Sequence, residues 1–265
     1  MSDVLPLPAT DARSIVEHAR LMQLWALTPL PEGPHSAVLS ALLRGGAASI
    51  GFAISPRGRS LGVVGTGRGD GFTDAVVGLL TTLLDAEAGA VFRTLSTAVP
   101  AEACRVEVLV GRPTWLRAGV RGISTSNARA ALRGLGVSPD QCERLLDPAL
   151  GEVHGLDLFS DGVGAPTLAV VTRGGPTDTP ALLGTTTVEH TRRVDQAGVA
   201  TTRRGGLQDR ALIDWIVGQG AADGTSARRL GTVHGILETH GPVEMCWLTE
   251  GGAEDVVLVY RSPVG

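Results

Sequence analysis

Residues 47–85, AASIGFAISPRGRSLGVVGTGRGDGFTDAVVGLLTTLLD, read as a β-hairpin, a glycine-rich break and a helix. Ile50, Phe52 and Ile54 alternate with Gly51, Ala53 and Ser55, the two-residue period of a strand with one apolar face. Pro56-Arg57-Gly58-Arg59 is turn chemistry, and Leu61 to Val64 is a second short apolar run. After Gly65-Thr66-Gly67-Arg68-Gly69-Asp70-Gly71, the residues Val76, Leu79, Leu80, Leu83 and Leu84 recur at helical spacing.

Outward from this unit the pattern continues. Helices are predicted over 10–27, with Thr10 as cap, and over 36–44, stopped by Gly45. Strands are predicted at 90–96 and 105–110, followed by a helical pair at 126–135 and 139–147. Ser138, Pro139 and Gln141 supply a capping box at the start of the second of these helices. Strands at 155–160 and 167–172 come next. A second strand-turn-strand unit spans 185–203, with Gly205-Gly206 and a helix at 208–218 after it. A last helix at 226–239 leads to strands at 243–249 and 255–260. Val256 to Val259 is apolar on both faces, which predicts a central strand. The interleaving predicts an α+β fold with an antiparallel sheet of hairpin-plus-helix units. Two pseudo-symmetric halves, residues 1–120 and 121–265, are the expected division, either as separate units or as one compact domain.

Composition narrows the function classes. The 265 residues suffice for a substantial core, and 43% hydrophobic against 19% charged content predicts a globular chain. Aromatics are only 3%, so the core must be aliphatic. The formal net charge of −4 argues against a dedicated nucleic-acid binder. All 23 basic residues are arginine, which excludes Schiff-base and phosphate-loop lysine chemistry. Cys104, Cys142 and Cys246 match no metal spacing and read as free thiols, and no metal site is expected. No stretch approaches a membrane span, and the Met1-Ser2-Asp3 start has no signal-peptide pattern, so a cytoplasmic protein is expected.

Three stretches are candidate sites. Gly65, Thr66, Gly67 and Gly69 precede a helix N-terminus, where free N–H groups and the helix dipole attract phosphate, although Asp70 opposes an anion there. His154, Asp157 and Asp161 have the donor chemistry of a metal or acid–base site, but on a regular strand His154 and Asp157 point to opposite faces. Glu238 and His240 read as helix-terminal residues. The hairpin at 185–204 is polar on both faces and flanked by Arg192, Arg193, Arg203 and Arg204. Such a ribbon is expected to stand at a sheet edge, either protected by charge or gripping an acidic partner.

Three stretches also carry a resemblance. They are Ala130 to Asp140, the turn Val194-Asp195-Gln196-Ala197-Gly198-Val199 and the helix at 208–218. Together they resemble the EspG-type chaperones of type VII (ESX) secretion. That resemblance implies a non-enzymatic adaptor that binds a helical secretion substrate, with no cofactor. The leading expectation is therefore a protein-binding adaptor, with no catalytic activity, acting through the four arginines. The alternative is a small-molecule enzyme binding a phosphate or nucleotide at Gly65–Gly71. A self-assembling homo-oligomer is the third reading.

Overall fold

The computed structural model describes residues 34–55, 60–98, 105–110, 116–160, 165–174, 187–195, 201–205, 243–250 and 253–263, with Thr225 and Arg228. The expected helices at 10–27, 208–218 and 226–239, and the sites at Asp161, Glu238 and His240, lie outside these or are only touched by them.

The opening hairpin forms as its alternation predicts. Strands β1 (Ala47–Ser55) and β2 (Ser60–Gly67) pair antiparallel from Ser55↔Ser60 to Ala47↔Gly67. Helix α1 (Pro34–Arg44) precedes them and α2 (Gly69–Leu83) follows. The two helices lie on one side of the hairpin, and glycine is what lets them approach. A Cβ on Gly65 would come within 2.7 Å of Leu42 Cδ1, and one on Gly67 within 2.6 Å of Phe72 Cδ2. Leu42 and Phe72 are fully buried, each contributing about 1.5–3 kcal/mol of burial.

Residues 90–96 are helical rather than extended. Helix α3 (Ala86–Thr97) starts at Asp85, whose carboxylate accepts from Ala88 N at 2.7 Å. The run Val91 to Thr94 looks extended by residue type. However, Ala88, Phe92 and Leu95 fall on one helical stripe and are all buried. Strands β3 (Arg105–Val110) and β4 (Leu116–Arg121) follow. Helix α4 (Thr125–Gly134) is capped by Ser124, and α5 (Pro139–Leu145) carries the Ser138–Gln141 capping box. A 3-10 turn, Pro148–Leu150, leads into β5 (Glu152–Ser160) and β6 (Thr167–Arg173). Then come β7 (Thr187–Arg193), β8 (Thr201–Gly205), β9 (Val243–Glu250) and β10 (Ala253–Pro263).

All ten strands form one antiparallel sheet, and β10 pairs back onto β1 to close it as a barrel. The hairpin therefore recurs five times around the ring, and strand order follows chain order. The β10 strand pairs with β9 on one side and β1 on the other, as every strand of the ring has two neighbours, so the expected contrast between central and edge strands does not arise.

A continuous core joins Leu95 of α3, the α4 residues Ala128 and Leu132, and Cys142 and Leu145 of α5 to the barrel residues Val120, Leu156 and Val170. That fixes the outer wall of β4, β5 and β6. By strand alternation, Arg117, Gly119 and Arg121 on β4, and Asp157 and Phe159 on β5, face the interior.

The polar ribbon is not an edge. Strand β7 pairs with β6 and β8, and β8 pairs with β7 and β9. Glu189, His190, Thr191 and Arg192 are all buried. The ribbon's polarity, taken as a sign of projection, is instead that of a strand in a barrel with a charged interior.

Gly67→Ala is expected to destabilise the protein by about 1–3 kcal/mol, because its Cβ meets the buried Phe72 ring. Chemical denaturation against wild type measures it. Gly78→Ala, inside α2, meets nothing within 4 Å and is expected to stabilise by up to about 1 kcal/mol, the opposite sign.

Candidate active site in the barrel lumen

A barrel of about eight strands is just wide enough for side chains to fill, and a ring of ten encloses a wider interior. Several inner-wall residues are small. Ala169 on β6 lies opposite Asp157, and Gly155 on β5 lies opposite Val171.

The densest chemistry on this wall is a buried charge cluster. Asp157 sits between two guanidinium groups. Its Oδ2 accepts from Arg117 Nε, and its Oδ1 accepts from Arg121 Nη1 at 2.5 Å. Asp157 is 0% exposed, Arg117 5% and Arg121 4%. Sequence places the three together because Arg117 and Arg121 flank Gly119, which pairs directly with Asp157. Only glycine fits there, since a Cβ would collide with the Asp157 carboxylate and come within 2.5 Å of Arg121 Nη1. Arg121 also donates to Val120 O at 3.1 Å. Arg117 Nη2 is buried and has no hydrogen-bond partner among the described residues. Among the described side chains, two guanidinium groups share one carboxylate here.

Phe159 lies opposite Arg117 and offers an aromatic face to the same interior. Arg193 stacks on its ring, with Cζ 5.3 Å from the centroid, while its Nε and Nη2 hold Asp195 at 3.0 and 2.8 Å. Further along, Arg173 Nε and His154 Nε2 approach Glu189 Oε1 at 3.0 and 3.4 Å. The expectation that His154 and Asp157 point apart fails for a definable reason. A bulge between Val153 and Gly155 shifts the register and brings His154 toward the inner-wall carboxylate of Glu189.

The other predicted residues fall elsewhere. Gly65, Thr66 and Gly67 belong to β2, and Gly69 opens α2 with φ +80. Thr66 Oγ1 is 2.5 Å from Ser49 Oγ, while Gly65 and Gly67 face the helices and are covered by Leu42 and Phe72. Arg192 points outward. Its Nη1 donates to Leu150 O at 3.3 Å and Thr172 Oγ1 at 2.8 Å, and desolvation lowers its pKa from the ordinary arginine value. Arg193 is engaged as above. Arg203 and Arg204 lie in β8, with backbones opposite Glu189 and Val188. These four arginines do not form a presented surface on an edge strand.

Arg117, Arg121, Arg173, Glu189 and Phe159 were not singled out by sequence reasoning. The signal for β4 is present in Leu116-Arg117-Ala118-Gly119-Val120-Arg121, where apolar and charged or small residues alternate. Charges at alternate positions suggest a solvent face, and a barrel lumen gives the same pattern. A separate cleft of about 510 Å³ lies outside the barrel, lined by Leu84, Val91, Leu135, Leu158 and Leu168. Of its two acidic residues, Asp85 and Glu87, the first is already engaged as the α3 cap. Among the described residues no group of His, Cys, Asp and Glu could hold a metal ion. Among them, too, no helix is long and apolar enough to cross a membrane.

No protein-family model and no curated protein matches the chain. Solved structures do match its fold. A 6-dimethylallyltryptophan synthase from Micromonospora olivasterospora, in complex with DMASPP and Trp, superposes with a TM-score of 0.61 at 12% identity. The match covers 97% of this chain and 100% of that one. The prenyltransferase PriB in its binary complex with product diphosphate gives 0.59 at 13% identity, covering 94% and 95%. A 5-dimethylallyltryptophan synthase from Streptomyces coelicolor gives 0.52 at 12% identity, covering 96% and 92%. These likenesses establish a shared barrel fold, that of prenyltransferases and not of EspG-type chaperones. With the burial of the polar ribbon, they overturn the expectation of a non-catalytic adaptor for a helical secretion substrate.

Asp157→Ala is expected to cost about 3–5 kcal/mol of stability, because it removes the buried carboxylate that Arg117 and Arg121 share. Thermal and urea denaturation measure it. Asp74→Ala, which breaks the exposed pair with Arg93, is expected to cost under about 1 kcal/mol.

Proposed function

We propose that the protein is a small-molecule prenyltransferase. It moves an isoprenyl group from its diphosphate ester to an aromatic acceptor inside the barrel. The observation that carries this reading is the Arg117–Asp157–Arg121 cluster, a buried cationic wall facing the lumen of a barrel that prenyltransferases share. The Gly65–Gly69 segment is not the anion site in this reading, because the side chains of α1 and α2 already cover Gly65 and Gly67.

The chemistry follows from charge. As the C1–O bond of the donor breaks, its electron pair leaves with the diphosphate, and negative charge builds on the bridging oxygen. Fixed guanidinium groups in a water-poor lumen stabilise that charge without having to reorganise. At an effective dielectric constant of 20, one full charge 4 Å away is worth about 4 kcal/mol. The allylic carbon takes a new bond from the aromatic ring, which then loses a proton to lumen water. Phe159, beside Arg117, is the aromatic ring on this wall, with the Arg193 guanidinium over one of its faces. Donor and acceptor held side by side supply the proximity that the bimolecular step needs.

Incubation with dimethylallyl or geranyl diphosphate and tryptophan or simple phenols, followed by mass spectrometry, tests the reading. The expected result is acceptor mass increased by one prenyl unit, with stoichiometric diphosphate release. Arg117→Met is expected to lower kcat/KM by about 10²–10³-fold, in line with losing one charged transition-state donor. The reading is wrong if no donor is consumed with any acceptor and no diphosphate ester binds.

A further inference from the structure

Phe159 stands in the middle of a row. Its register partner is Arg117 on β4 and Thr167 on β6, so the three side chains fall on the inner face of adjacent strands. The residues on either side of the ring share a second property. Arg117 Nη2 and Thr167 Oγ1 are both shut off from water, and neither has a hydrogen-bond partner among the described residues. Arg117 gives its Nε to Asp157. Ala169, the next inner residue along β6, has no polar side chain to offer Thr167. The Arg193 guanidinium lies over the Phe159 ring and holds Asp195. Buried polar groups without partners are costly and few in native folds, and here two of them flank one aromatic ring.

We propose that Thr167 orients the acceptor, its hydroxyl oxygen accepting a hydrogen bond from an N–H or O–H on the acceptor's aromatic ring. The acceptor is then an indole or a phenol rather than a bare aromatic hydrocarbon, held on the β6 side of Phe159. The inference rests on reading the lumen as a prenyl-transfer site. In that reading the diphosphate lies toward Arg117, on the β4 side of the same ring. The order diphosphate, Phe159, acceptor sets the two reactants side by side across three strands, each about 4.8 Å from the next. Thr167 is only half-buried, and rotation about its Cα–Cβ bond is the motion that presents the hydroxyl to the ligand. Accepting the hydrogen bond also raises electron density in the acceptor ring, which favours its attack on the allylic carbon.

Equilibrium titration of the full chain with indole and with benzofuran, a near-isostere without an N–H, tests the inference. Wild type is expected to bind indole about tenfold more tightly, the worth of one buried hydrogen bond. Thr167→Val removes the hydroxyl at nearly constant shape and is expected to lose that preference, and Thr167→Ser is expected to restore it. The melting temperature of Thr167→Val is expected to equal or exceed that of wild type, because the hydroxyl it removes has no partner among the described residues. In turnover, Thr167→Val is expected to raise KM for indole about tenfold and to leave KM for dimethylallyl diphosphate unchanged. An indole preference that survives Thr167→Val overturns the inference. A lowered melting temperature overturns it too, by marking the hydroxyl as structural, and so does a failure of wild type to bind either compound. An indole preference that depends on Thr167, with no prenyl transfer by wild type, keeps the subsite and removes the prenyltransferase reading. Prenyl transfer by wild type, with the indole preference intact in Thr167→Val, does the reverse.

Discussion

Ring closure is the constraint on which everything else depends. Every strand from β1 to β10 has two antiparallel partners, so the sheet has an inside and an outside but no edge. Backbone pairing satisfies the main-chain donors and acceptors on both sides of each strand. Side chains are then free to specialise by face. The outer wall of β4, β5 and β6 takes the helices, in a core that joins Leu132 to Val120, Leu156 and Val170. The inner wall carries charge. An open sheet with one face on helices could leave its other face to water, as many antiparallel sheets do. Closing it converts that solvated face into an enclosed volume in which charges are expensive and useful.

The energetic consequence is concentrated at β4 and β5. Removing a guanidinium or a carboxylate from water costs several kcal/mol per ion, and the cost is recovered only when geometry and pairing are good. Arg117, Asp157 and Arg121 meet that condition along one stretch of two paired strands, with glycine opposite the carboxylate. Arg173 and Glu189 pair across β6 and β7, and Arg193 closes on Asp195 and Phe159. A chain without lysine builds this interior from arginine alone. Arginine suits the task, since its planar fork stays charged and can engage a carboxylate with one edge while presenting another.

Much of the local structure is legible in the sequence, because local chemistry decides it. The alternation of Ile50, Phe52 and Ile54, which forms β1, and the capping box at Ser138 both mean what they suggest. The misreadings come from outside the local window. Residues 90–96 carry strand-like residue types, but the cap at Asp85 and the burial stripe make them helical. The 185–204 ribbon looks solvent-exposed because it is polar on both faces, and the alternating charges of β4 do not say which side is enclosed. Nothing within either segment says that a polar side faces a lumen, since that depends on strands far away along the chain. The loop-like glycines at 65 and 67 follow the same logic, being set by Leu42 and Phe72 on the neighbouring helices. The charged inner wall was hidden for one reason throughout: which side of a strand is enclosed is a property of the ring.

The ladder between β1 and β10 joins Ser49 to Pro263, whereas the other ladders join strands that are consecutive along the chain. Hairpins can therefore zip one after another as the polypeptide leaves the ribosome, each with a modest loop-closure cost. The final seam is different, because it must wait for the last strand. Until then the arginines and carboxylates of the inner wall remain hydrated on an open, curling sheet. Their dehydration is deferred to a single late step, when most of the hydrophobic outer layer is already in place to drive it.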